Sequence, residues 1–168
     1  MMKTPGLFAI SGVKNSGKTT YCEKVIPALT ALGLQVAVIK HDGHEFEADV
    51  PGTDSSRCFA AGAVGTVVFS DTKFCAVRRW SAPDLDVLTG LFPQADVILL
   101  EGFKHWPGPK IELVRRGNSA APVCTGQVLA IATDLPELDT HGLPRLSLED
   151  GEAAARLIRD HLEGRADA

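Results

Sequence analysis

Near its start the chain reads Gly12-Val13-Lys14-Asn15-Ser16-Gly17-Lys18-Thr19-Thr20, which fits the pattern G-x-x-x-x-G-K-[ST]. The apolar run at residues 7–10 just before it predicts a buried strand. The apolar spacing after it, at Val25, Ile26, Leu29 and Leu32, predicts a helix that stops at Gly33. This order of strand, loop and helix is the context in which a phosphate-binding P-loop works. The alternative is a tight glycine turn between strand and helix.

The chemistry of the stretch favours the P-loop. Backbone N–H groups and the dipole at a helix N-terminus both attract the anionic phosphates of a nucleotide. Gly12 and Gly17 permit the unusual dihedrals of the loop, Lys18 is expected to reach the β- and γ-phosphates, and the Thr19 hydroxyl is expected to ligate Mg²⁺. Residues 12–20 are therefore predicted to bind a nucleotide, with each of the nine positions contributing.

Composition limits the class of protein. The 168 residues, 45% of them hydrophobic, predict one domain over residues 1–168. The net charge of −4 gives no reason to expect nucleic-acid binding. No apolar run reaches the length of a membrane span, and no signal-peptide pattern is present. The four cysteines lack C-x-x-C spacing, so we expect a reducing, cytoplasmic environment.

Alternating strand and helix patterns predict an α/β fold. Apolar runs at residues 35–40, 95–102, 110–115 and 128–133 suit buried parallel strands. Residues 63–70 and 73–77 predict an antiparallel hairpin that adds to the sheet. A short helix capped by Thr53 or Asp54, a helix over 83–91, and a last helix with Ser147 and Asp150 as a capping box complete the pattern. We expect a sandwich around a mostly parallel sheet.

A second nucleotide-related pattern is Val97-Ile98-Leu99-Leu100-Glu101-Gly102, an apolar strand that ends in a carboxylate. Such an acid beside a P-loop holds Mg²⁺ directly or through water. Glu101 replaces the more common Asp and reaches one methylene further. The alternative is a solvated strand end.

Several motifs occur in one order along the chain: residues 12–20, Ile39-Lys40-His41 with His44 and Asp49, Pro51-Gly52-Thr53-Asp54-Ser55, Ala61-Gly62-Ala63, and Glu101-Gly102-Phe103-Lys104-His105. With these motifs the chain resembles the MobB family of molybdopterin-guanine dinucleotide biosynthesis adaptor proteins. The resemblance implies a P-loop NTPase fold and a homodimeric GTP-binding adaptor with weak GTPase activity. Its implied ligands are GTP and Mg²⁺. Its implied partners are the guanylyltransferase that converts molybdenum cofactor to its guanine dinucleotide form and, beyond it, the molybdenum-insertion enzyme.

Catalytic candidates follow from this resemblance. Glu101 takes the family's position at the end of the Walker-B strand, and Asp49 and Asp54 are candidates for Mg²⁺ or water positioning. The metal candidates are thus Thr19, Glu101 and Asp49. The alternative for both aspartates is a solvated acidic loop, because residues 42–54 hold five carboxylates and neither lysine nor arginine.

Base recognition is assigned to Thr133 and Asp134, because Asp134 places a carboxylate just past the strand at residues 128–133, at the sheet edge where α/β proteins bind ligands. A carboxylate can accept from both N1–H and N2–H₂ of guanine, and adenine offers no such pair. The alternative is that Asp134 starts a turn before Pro136.

Two other functions remain open. A small-molecule kinase needs an acceptor pocket and usually an arginine-rich lid, and the candidate loop here is acidic. A metal-delivery GTPase would use His41, His44 and His105, but no thiolate accompanies them at ligand spacing.

Overall fold

The structure of the chain is a computed structural model that describes residues 4–82 and 84–166. The elements follow in the order β1 (Gly6–Gly12), α1 (Lys18–Ala31), β2 (Val36–Lys40), α2 (Asp54–Ala60), β3 (Gly65–Phe69), β4 (Phe74–Arg78), α3 (Leu85–Thr89), β5 (Val97–Glu101), β6 (Lys110–Val114), β7 (Val128–Thr133), β8 (Arg145–Leu146) and α4 (Gly151–Ala166). None of the helices in the described ranges is long and apolar enough to cross a membrane.

Contacts between Cα atoms divide the chain into two compact units. The first combines the segment up to His41 with the segment from Asp86 onward, and the second is Asp42–Leu85. Organisation as one domain over residues 1–168 stays a prediction.

The first unit contains a six-stranded sheet in the order β2-β5-β1-β6-β7-β8. Every neighbouring pair is parallel, which confirms the predicted α/β fold. Apolar runs form the central strands, and all five residues of β5 are buried. Strand β8 was not predicted, since its two residues carry no apolar pattern.

One face of this sheet packs against α1 and α4. Tyr21, Val25 and Leu29 of α1 and Ile158 of α4 are buried in the same cluster as Phe8 of β1. This packing holds the start of α1, at Lys18, close to the end of β1, at Gly12. The P-loop lies in that connection.

The second unit contains the predicted hairpin, in which β3 and β4 pair antiparallel from Gly65 opposite Arg78 to Phe69 opposite Phe74. The hairpin was expected to extend the parallel sheet, and this was wrong, because β3 and β4 form a two-stranded sheet of their own. The predicted cap of α2 is correct, since the Thr53 side chain accepts from the Ser56 N–H.

Two helix boundaries differ from the predictions. Helix α3 covers Leu85–Thr89 and is shorter than the predicted 83–91, with Pro83 outside the described residues. The predicted capping box of α4 is wrong. Asp150 Oδ1 accepts from the Ala153 N–H at 2.9 Å and so caps the helix, while Ser147 Oγ accepts from the Glu149 N–H at 3.1 Å. The side chain just before the first helical residue reaches the third N–H of the helix, which Ser147 does not.

Candidate functional site

The loop between β1 and α1 has backbone φ angles and close contacts that require glycine at two positions. Gly12 has φ 147°, and a Cβ there would lie 2.7 Å from both the Leu113 carbonyl oxygen and Ser16 Oγ. Gly17 has φ 89° and precedes α1 without a side-chain hydrogen bond to the first turn. No side chain at the N-cap position therefore satisfies the N–H groups at the start of α1, which face the loop.

Polar groups inside the loop fit phosphate oxygens. Ser16 Oγ is buried and has no hydrogen-bond partner within the described part of the chain. Lys18 Nζ donates to the Val13 carbonyl at 2.7 Å and to the Gly12 carbonyl at 3.4 Å. Burial lowers the pKa of Lys18, and the nearby Glu101 carboxylate opposes this shift. A buried hydroxyl donor and an ammonium at one loop form a site that suits an anion.

Thr19 and Glu101, predicted as Mg²⁺ ligands, lie together. Glu101 is buried at the end of β5, next to β1, and its Oε1 accepts from Thr19 Oγ1 at 2.9 Å. Lys40 Nζ lies 3.6 Å from the same oxygen. A hydroxyl and a carboxylate fit Mg²⁺, which takes few protein ligands and completes its shell with water and phosphate oxygens.

Thr133 and Asp134 lie at the carboxyl end of β7, on the same edge as the P-loop. Two strand spacings of about 4.8 Å separate β7 from β1, which places this end about 10 Å away. Asp134 is exposed, and its Oδ1 accepts from the Arg116 N–H at 2.7 Å. Thr133 Oγ1 accepts from the Leu135 N–H at 3.0 Å. One carboxylate oxygen of Asp134 is thus fixed by the backbone.

Asp49 and Asp54 belong to the second unit. Asp49 accepts from Ser55 Oγ at 2.5 Å and from the Val50 N–H at 2.8 Å. The Ser55 hydrogen bond is the main reason that the pKa of Asp49 is lowered. Asp54 begins α2 and lies 3.8 Å from Arg57 Nη1. Their roles toward Mg²⁺ or water stay predictions.

Two of the three histidines considered for a transition metal have other side-chain contacts. The His41 ring lies 5.6 Å from the Phe103 ring, and His105 Nδ1 lies 3.3 Å from Thr125 Oγ1. Within residues 4–82 and 84–166, no group of three His, Cys, Asp or Glu side chains is arranged to hold a metal ion.

Sequence reasoning missed two buried charges in β6. Lys110 Nζ donates to the carbonyls of Lys104 at 3.2 Å, Thr125 at 2.5 Å and Trp106. Glu112 accepts from the Val123 and Cys124 N–H groups. Both side chains are almost fully buried. They hold the loops after β5 and before β7, and the available signal was a lysine and a glutamate at alternate positions of an otherwise apolar strand.

The matching family model, two curated relatives and a solved structure similar to this chain all belong to one family. Residues 7–134 match the family model of molybdopterin guanine dinucleotide synthesis protein B. The chain is 39% identical to a molybdopterin-guanine dinucleotide biosynthesis adapter protein of Haemophilus influenzae, over 79% of this chain and 78% of the relative. It is 34% identical to the adapter protein of the same name from Escherichia coli, over 94% and 93% of the two chains. The crystal structure of Bacillus subtilis MobB superposes with a TM-score of 0.74 at 27% identity, covering 92% of this chain and 96% of that one.

Proposed function

Because the chain belongs to the family of molybdopterin guanine dinucleotide synthesis protein B, we propose that it is a GTP-binding adaptor with weak GTPase activity. In this proposal it acts in the cytoplasm and assists the guanylyltransferase that converts molybdenum cofactor to its guanine dinucleotide form. The molybdenum-insertion enzyme is the next proposed partner. Two relatives carry the word adapter in their names, which supports a role beside a partner enzyme.

The observation that carries the nucleotide part is the hydrogen bond between Thr19 and Glu101 beside an uncapped helix start. In this proposal the loop N–H groups and Lys18 bind the phosphates, and Thr19 and Glu101 hold Mg²⁺. Bound Mg²⁺ would offset charge on the phosphate oxygens. Lys18 donates to loop carbonyls in this structure, and phosphate oxygens would take their place.

Choice of GTP over ATP is proposed to rest on Asp134. Its Oδ1 is fixed by the Arg116 N–H, which orients the carboxylate at the edge about 10 Å from the P-loop. A carboxylate held in this way can accept from the two adjacent donors of guanine.

The adaptor role is proposed to depend on the state of Glu101. Lys40 Nζ lies near its carboxylate, and the His41 N–H donates to its carbonyl at 3.1 Å. His41 leads directly into the acidic residues 42–54. Binding of Mg²⁺ and GTP beside Glu101 would release Lys40 from this carboxylate and bias the acidic segment 42–54, and thereby the fit to a partner enzyme.

A homodimer, implied by the family resemblance, is proposed to use the hairpin. Val67, Phe69 and Phe74 share one face of β3–β4 by the pairing register, and all three are exposed. In the described part of the chain β3 and β4 pair only with each other, so their outer edges are unpaired, and a second copy would cover them.

Thermal-shift measurements test this proposal. With Mg²⁺ present, GTP is expected to raise the melting temperature and ATP to raise it much less. A rise that requires a vitamin-like alcohol or nucleoside acceptor would favour the kinase, and a rise with Ni²⁺ would favour the metal-delivery GTPase. No shift with GTP would contradict the proposal.

A further inference from the structure

Arg115 places a cation beside the P-loop. Its Nη1 lies 3.7 Å from the position that a Cβ would take at Gly17, the residue before α1. The side chain is exposed. Across residues 4–82 and 84–166, its guanidinium donates no hydrogen bond and forms no ion pair within 4 Å. A guanidinium without a protein partner, next to a loop built for anions, suits a phosphate oxygen.

The turn that carries Arg115 is tied to both neighbouring parts of the site. The Arg115 carbonyl accepts from the N–H groups of Asn118 and Ser119, each at 3.1 Å, which closes the turn. Asn118 Nδ2 donates to the Lys14 carbonyl in the P-loop at 2.9 Å. On the other side the Arg116 N–H donates to Asp134. The turn therefore connects the proposed phosphate site to the proposed base site.

The order of the strands in the sheet indicates which phosphate of a bound nucleotide lies near Arg115. Strand β5, with Glu101, flanks β1 on one side, and β6, which leads into Arg115, flanks it on the other. Mg²⁺ and the γ-phosphate are assigned to the β5 side. If Asp134 reads the base, as proposed, the ribose and base extend over β6 toward the end of β7. Arg115 thus lies between phosphates and base.

We propose that Arg115 binds the α-phosphate of the nucleotide, the one attached to the ribose, and positions the nucleotide between the P-loop and Asp134. This inference rests on the proposed function, since it requires a nucleotide in the P-loop. In this proposal Arg115 contributes to nucleotide binding, while Lys18 and Mg²⁺ contact the γ-phosphate.

The test compares Arg115→Met, which keeps most of the aliphatic stem, with the unaltered chain. Affinities for GMP, GDP and GTP are measured by displacement of a fluorescent GDP with Mg²⁺ present, and ATP is measured beside them. Arg156→Ala is the control, because it removes a guanidinium from α4, where Arg156 pairs with Glu152. Circular dichroism melting confirms that both variants are folded.

The expected result is a loss of about tenfold for GMP, GDP and GTP alike in Arg115→Met, because a charged hydrogen bond is removed. The preference for GTP over ATP should stay unchanged, and Arg156→Ala should bind like the unaltered chain. Unchanged affinities, a loss confined to GTP, or an altered base preference would overturn the assignment of Arg115 while leaving the proposed function standing. If the unaltered chain binds none of the nucleotides, the proposed function fails and this inference fails with it.

Discussion

The Thr19 hydroxyl donates a 2.9 Å hydrogen bond to Glu101 Oε1 across 82 positions of sequence. They meet because β1 and β5 are parallel neighbours, so their carboxyl ends share one edge, and α1 starts just beyond β1. The contact therefore brings together the two nucleotide-related patterns of the sequence, residues 12–20 and residues 97–102. It is the basis for the proposed Mg²⁺ site.

Glu101→Gln should separate binding from hydrolysis. Glutamine keeps the size of the side chain and an oxygen that can accept from Thr19, but it removes the negative charge that would hold Mg²⁺. We expect most GTP affinity to remain, while Mg²⁺-dependent release of phosphate falls at least tenfold, about 1.4 kcal/mol of barrier. Equal hydrolysis rates in the variant and the unaltered chain would remove Glu101 from the metal site.

Asp134→Asn should narrow the preference for GTP over ATP. The asparagine oxygen can still accept from the Arg116 N–H, so the turn is kept while the charge is lost. A carboxylate paired to two guanine donors is worth about 2–3 kcal/mol. Calorimetric titration with each nucleotide measures the difference. If GTP and ATP affinities keep their ratio, another residue reads the base.

Much of the site could be predicted because it depends on local chemistry. The glycine pattern, the apolar strand before it and the acid at the end of β5 are short-range features, and the structure brings Thr19 and Glu101 together as expected. The family resemblance is confirmed by the match over residues 7–134. Nucleotide binding itself stays a prediction.

Other features could not be predicted because they depend on long-range packing. Lys110 and Glu112 are buried only because loops distant in sequence present carbonyl and N–H groups to them. Alternating charge in a strand ordinarily indicates a solvated face. That the hairpin forms a separate sheet could not be predicted for the same reason. The strand pattern predicts two paired strands, but it does not indicate whether they join the six-stranded sheet.

Lys110→Met should destabilise the fold. The change leaves several carbonyls of the loops after β5 and before β7 without their donor, at about 1–3 kcal/mol for each unsatisfied group. We expect a loss of at least about 3 kcal/mol in the free energy of unfolding, measured by urea denaturation. Lys104→Met, at an exposed position, is the control and should change it by less than about 0.5 kcal/mol. Similar values for the two variants would show that the buried ammonium does not hold these loops.

If the chain forms the proposed homodimer, the dimer should persist when the protein is diluted to micromolar concentration. An obligate interface buries more than about 2,000 Å² and persists at micromolar protein. Analytical ultracentrifugation should show a species of twice the 17.9 kDa chain mass. Phe69→Asp should dissociate it, because Phe69 is exposed on the shared apolar face, while Thr72→Asp in the hairpin turn should not. A single species at the chain mass, with and without GTP and Mg²⁺, would rule out the dimer.

Nucleotide binding by residues 12–20 is tested by calorimetric titration of GTP and Mg²⁺ into the unaltered chain and into Lys18→Ala. Among the described residues the Lys18 side chain donates only to the loop carbonyls of Val13 and Gly12, so its removal should leave the melting temperature nearly unchanged. We predict saturable GTP binding with one nucleotide per chain, and no measurable binding in Lys18→Ala. Equal GTP affinity in the two proteins would contradict the assignment of residues 12–20 as a nucleotide-binding loop.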